Sequence, residues 1–156
     1  MKPITTAAIV LFLISCSGNK IEKTTSNPMI GTWKLLKGTL IENGDTVITD
    51  YTKNVSFVKI INDTHFAFLQ HDLNKDSTAS FVAGGGRYSL NGDKYTEHLE
   101  YCNAREWEGH DFSFTVNIEN DSLTQSGVEK IEGTKVNRIN VENYVKLKDS
   151  VSVGKD

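Results

Sequence analysis

Gly84-Gly85-Gly86-Arg87-Tyr88-Ser89-Leu90-Asn91-Gly92-Asp93-Lys94-Tyr95-Thr96-Glu97-His98-Leu99-Glu100-Tyr101 decides the fold. Asn91-Gly92 lies between two runs of β-forming residues, the strongest short-range hairpin signal a sequence offers. A two-residue loop on Asn91-Gly92 pairs Tyr88 with Tyr95, Gly86 with Glu97 and Gly84 with Leu99. One face of the hairpin then carries Val82, Tyr88, Tyr95, Leu99 and Tyr101, with Glu97 among them. The other face carries Phe81, Arg87, Thr96, His98 and Glu100, a set suited to solvent. A carboxylate is thus expected on the aromatic face, opposite glycines that leave room beside it. A three-residue loop with a bulge would shift the pairing by one residue.

Short strands of the same kind flank the hairpin. Trp33–Ile41, Thr46–Tyr51 and Val55–Ile61 precede it, the first two joined by a turn centred on Asn43-Gly44. Thr64–His71 places Phe66 and Phe68 on one face, with His65, Ala67, Leu69 and His71 on the other. After the hairpin, Asn103–Gly109 reads as a connector with room for one helical turn. His110–Ile118 alternates with Phe112, Phe114, Val116 and Ile118 on one side, and Ser122–Glu129 and Val136–Leu147 complete the series. No segment has sustained helical periodicity. The expected fold is all-β: a small antiparallel barrel or sandwich of about eight to nine strands.

The N-terminus reads as an address. Lys2 precedes an apolar run, Ala7–Ile14, too short for a permanent transmembrane helix, and Leu13-Ile14-Ser15-Cys16 ends that run. The expected organisation is a signal peptide over 1–15, a modified Cys16 with a polar tether over 16–28, a folded domain over 29–148 and a disordered tail over 149–156. Net charge is −3 and becomes −4 once Lys2 leaves with the signal. No basic stripe is present, which argues against a nucleic-acid partner. With Cys16 modified, Cys102 has no intrachain partner and reads as a small hydrophobe at a strand end.

Leu13-Ile-Ser-Cys16 resembles a bacterial lipobox, which implies cleavage before Cys16 and a lipid anchor on its sulfur. Ser17 in place of an aspartate implies the outer membrane of the cell envelope. Gly31-Thr32-Trp33 at the start of the first strand is similar to the Gly-x-Trp motif of lipocalins and other calycins. That resemblance implies an up-and-down barrel whose narrow end is closed by Trp33 beneath a basic residue of the last strand, Lys146 or Arg138. Lys59–Phe68, Gly84–Leu90 and Tyr95–Tyr101 together look like the lipocalin-like lipoproteins of unknown function common in Bacteroidetes, over roughly Ile30 to Leu147. The later lipocalin motifs and the usual disulfide are missing.

The candidate ligand-binding residues are Glu97, Tyr88, Tyr95, Tyr101, Phe66, Phe68, Phe112 and Phe114. A carboxylate buried without a partner is costly. Glu97 therefore implies a bound donor, an internal Arg or Lys, a water or a polar ligand group; otherwise it sits at the rim. Gly84–Gly86 precedes no helix and reads as a bend or bulge rather than a phosphate loop. His65 and His71 are about 20 Å apart on one strand, too far for one metal, and His98 with Glu100 lacks a third ligand. A haem barrel would want a histidine in Val136–Leu147, which has none. No metal, cofactor or catalytic motif is expected. Trp107 caps a mouth or covers core. The expected function is binding or carrying a small, apolar or amphipathic ligand. The alternative is a filled barrel acting through its surface on an envelope protein.

Overall fold

The computed structural model describes residues 27–148. The signal segment, Cys16 and the 149–156 tail lie outside the described residues. Nine strands run in order: β1 (Gly31–Glu42), β2 (Asp45–Asp50), β3 (Val55–Ile61), β4 (His65–Asp72), β5 (Phe81–Asn91), β6 (Lys94–Cys102), β7 (His110–Glu119), β8 (Ser122–Lys130) and β9 (Asn137–Lys146). Arg105–Trp107 forms a single 3₁₀ turn between β6 and β7.

Each strand from β3 to β9 pairs antiparallel with the next, and β9 pairs back onto β1. Eight strands therefore close into an up-and-down barrel, a lipocalin-like architecture that leaves no open edge around the ring. β1 is long enough to serve two neighbours on one edge: Gly31–Lys34 pairs with β3, while Lys37–Glu42 pairs with β2. The all-exposed β2 is thus a hairpin arm beyond the ring. Its turn, Asn43-Gly44, has positive φ at both residues (52° and 88°), as a type I′ turn requires.

Two bulges aim the side chains. β1 breaks register between Leu35 and Lys37, so the inward set changes from Trp33 and Leu35 to Gly38 and Leu40. β6 breaks register opposite Gly85 and Gly86, where Glu100 has no partner. A Cβ at Gly86 would collide with the His98 carbonyl, and one at Gly85 with the Phe66 carbonyl. Gly84–Gly86 is therefore a site of close backbone approach, in line with the bend-or-bulge reading. Gly86→Ala is expected to lower stability by about 1–3 kcal/mol, measured by urea unfolding, because backbone rather than a flexible side chain must yield.

The hairpin that led the sequence reading forms, with a turn one residue later than expected. Gly92 and Asp93 are the turn residues, and φ is positive at Gly92 (64°), the position where a type II′ turn takes glycine. Leu90 then pairs with Tyr95, Tyr88 with Glu97 and Gly86 with Leu99. This register differs by two residues from the expected one, so each side chain up to Leu99 keeps its face.

The core fills one end of the barrel. Trp33, Met29, Leu35, Tyr95, Leu123 and Tyr144 are all but completely buried there, and the 27–30 turn plugs that end. Trp33 Nε1 donates to the Met29 carbonyl at 2.7 Å, and the Lys146 ammonium lies 5.1 Å from the indole. Trp33 thus closes the barrel beneath Lys146, as the Gly-x-Trp resemblance implies. Gly31, at φ 141°, makes room: a Cβ there would lie 2.6 Å from Lys146 Cε. Asn27, assigned to the tether from sequence, donates to the Tyr88 hydroxyl at 2.7 Å.

Candidate functional site

The other end of the barrel encloses a cavity of about 270 Å³. Its mouth lies among the β1–β2 arm, the start of β3, the β6–β7 connector and the β8–β9 ends. Phe57, Phe68, Leu99, Phe112, Phe114 and Trp107 supply an apolar wall. Phe57 and Phe68 stack with centroids 5.9 Å apart and planes within 9°. A Cβ at Gly84 would run into the Phe68 ring, so the glycine gives that ring its place.

The floor is polar. Lys59 projects inward from β3, between Phe57 and Ile61, and is 2% exposed; Glu97, from β6, is 6% exposed. Lys59 Nζ donates to Glu97 Oε1 at 2.7 Å and to Gln125 Oε1 at 3.1 Å. It lies 3.7 Å from Glu142 Oε2, which also accepts from the Tyr144 hydroxyl at 2.7 Å. The rings of Phe66, Tyr95 and Tyr144 surround the ammonium at 6.0, 5.9 and 5.4 Å. The Tyr95 hydroxyl is buried with no hydrogen-bond partner.

Burial alone would lower the Lys59 ammonium, but the charges of Glu97 and Glu142 outweigh it and hold the group above its ordinary value. Lys59 is therefore a permanent cation rather than a nucleophilic amine. Burial also raises the Glu97 carboxyl, and Lys59 offsets only part of that rise. Two carboxylates share one ammonium.

A second polar cluster stands nearer the mouth. Arg138 Nε donates to Glu129 Oε2 at 2.6 Å and Asn140 Nδ2 to Glu129 Oε1 at 2.8 Å. The Arg138 guanidinium lies 5.0 Å from the Trp107 ring, which in turn packs against Phe112 at 5.6 Å. Of the two basic residues proposed to cover Trp33, Lys146 does so, and Arg138 holds Trp107 in the cavity wall instead.

The eight candidate residues divide into three groups. Glu97, Phe68, Phe112 and Phe114 line the cavity together. Phe66, Tyr95 and Tyr88 face inward but lie in the filled end. There Phe66 and Tyr95 pack edge to face at 6.5 Å, and the Tyr88 hydroxyl donates to the Asn62 carbonyl at 2.7 Å. Tyr101 is a correction: the bulge at Glu100 turns it outward, where it is 68% exposed, and brings Cys102 to the cavity wall in its place. His98 pairs with Asp111 outside the barrel at 2.8 Å, and Glu100 with Arg87 at 2.8 Å.

Sequence reasoning missed Lys59, Gln125, Glu129, Arg138, Asn140 and Glu142 as cavity residues. Lys59 alone was foreshadowed, since a buried Glu97 calls for an internal cation. Its parity with Phe57 and Ile61 becomes a signal only once that cation is sought, since the other face of β3 is apolar too.

No protein-family profile matches the chain. No curated protein matches it either. Among solved structures, it is similar to a lipocalin-like protein from Bacteroides uniformis ATCC 8492, at 19% identity and a TM-score of 0.46, over 76% of this chain and 97% of that one. It is also similar to an uncharacterized protein from Bacteroides eggerthii DSM 20697, at 16% identity and a TM-score of 0.43, over 76% of this chain and 98% of that one. The assignment of a lipocalin-like barrel rests on the strand order and its closure.

Proposed function

We propose that this protein binds or carries a small, largely apolar ligand in the cavity of its barrel while anchored to the bacterial envelope. The observation that carries the reading is the 270 Å³ space, walled by aromatic rings and floored by a polar cluster. Ligand pockets have this composition: apolar walls with a few fixed polar groups. Drug-sized ligands occupy about 300–1,000 Å³, so the ligand here is at or below the small end of that range. No catalytic step belongs to this reading. Calorimetric titration with 2-naphthol is expected to give saturable binding, lost in Ala104→Trp, which puts a bulky ring at the mouth. Equal binding by that variant would place the dye elsewhere and count against the cavity.

Anchoring rests on the Leu13-Ile-Ser-Cys16 sequence, and the outer membrane on Ser17. Labelling of the full chain with radioactive palmitate in a bacterial host, abolished by Cys16→Ala, is the expected result; unlabelled wild-type chain would contradict it.

A second reading, action through the outer surface on an envelope protein, draws on one observation. Ile60, Leu69, Phe81 and Tyr101 are exposed on the outer face of β3–β6. The open cavity counts against the filled barrel that this reading assumes.

A further inference from the structure

Resting on the reading of the cavity as a ligand site, we propose that the ligand presents a cationic, hydrogen-donating end, such as a primary amine, to the Glu97–Lys59–Glu142 floor. The cavity is lined by three carboxylates, Glu97, Glu129 and Glu142, against two side-chain cations, Lys59 and Arg138. Arg138 and Asn140 occupy both oxygens of Glu129, which closes that pair. The floor therefore carries the imbalance. Lys59 gives two of its three hydrogens to Glu97 and Gln125 and stands 3.7 Å from Glu142, so oxygens of the protein already surround it. Among the described residues no hydrogen bond reaches Glu97 Oε2 or Glu142 Oε1. Beside these two oxygens the floor holds two donors without a partner among the described residues, the Tyr95 hydroxyl and the Gln125 amide, and its formal balance is two carboxylates to one ammonium.

A carboxylate ligand would bring a further anion to an ammonium already shared by two, and its desolvation would go uncompensated. A carbonyl ligand that condenses with Lys59 would need a neutral amine, which the two carboxylates deny it. A cation meets both free oxygens, and the aromatic wall adds cation–π attraction.

The groups facing Glu97 are Lys59 from β3, Gln125 from β8, and Glu142 and Tyr144 from β9. Its own strand adds Tyr95, while Tyr88 of β5 and Phe112 of β7 are its cross-strand partners. Those phenols are uncharged at neutral pH. A cationic ligand favours the carboxylate form of Glu97, whose carboxyl burial holds above its ordinary value, so affinity rises as pH rises through the Glu97 titration, by up to about tenfold per unit.

The test is isothermal titration of the soluble domain with 2-phenylethylamine, 2-phenylethanol and 3-phenylpropionate, from pH 5 to 8 in buffers of differing ionisation enthalpy. The expected result is amine binding at least about tenfold tighter than alcohol, no binding of the acid, and an amine affinity that rises with pH. Glu142→Gln and Glu97→Gln should each reduce the preference for amine, and Glu97→Gln should flatten its pH dependence. Alcohol or acid binding as tightly as amine, with Ala104→Trp blocking it, overturns the cationic ligand and leaves the cavity reading intact. Binding of none of the three counts against both.

Discussion

Lys59→Met is expected to lower the free energy of unfolding by about 3–5 kcal/mol, the cost of removing one partner from a buried ion pair. Methionine matches the length and apolar stem of lysine, so lost packing contributes little. What remains are two inward carboxylates, Glu97 and Glu142, with no ammonium between them, and Gln125 without the donor its carbonyl accepts from. The double variant Lys59→Met/Glu97→Leu removes the more buried of the two uncompensated charges and should recover more than half of the loss. Urea unfolding of the four proteins of that cycle checks both statements. A single-variant cost below about 1 kcal/mol would mean that water, not Lys59, satisfies the floor.

Trp33→Ala is the second large effect, at about 3–5 kcal/mol. The indole is fully buried where the barrel closes, packs under Lys146 and donates to the Met29 carbonyl. Truncation leaves a void, frees that carbonyl and detaches the plug at residues 27–30 from the strand it rests on. Lys146→Met should cost far less, about 0.5–2 kcal/mol, because it removes only the cation–π contact. Comparable losses for the two variants, measured by thermal or urea unfolding, would make the lysine rather than the indole the closing element.

The two effects sit at opposite degrees of legibility. Trp33 was readable because Gly31-Thr32-Trp33 opens the first strand and a basic residue recurs in the last. The hairpin of β5 and β6 was readable through the alternation of Tyr88, Tyr95, Glu97 and Leu99, which survives a two-residue slip of register. Tyr101 failed because a bulge at Glu100 reverses parity. The three glycines opposite it announce close approach but not which residue is skipped.

The polar floor was hidden for a different reason. In β3 both faces are apolar, with Phe57 and Ile61 inside and Val58 and Ile60 outside, so alternation does not assign Lys59 to either. In the parts of β8 and β9 that line the cavity the usual pattern is reversed. Gln125, Glu129 and Asn140 are buried, while Val128 and Ile139 are exposed at 53% and 41%. A rule that sends apolar residues inward reads those strands inside out. Polar residues facing inward are what a cavity with a chemical preference requires, so the local rule fails at the candidate site.

The central claim is that the cavity holds a small ligand in the cell. Native mass spectrometry of the protein, purified from its own host, tests it most directly. The account predicts an added mass of a few hundred daltons or less, lost on denaturation and absent from Ala104→Trp. A clean unliganded mass that persists after incubation with lipid and metabolite extracts of the host would contradict it.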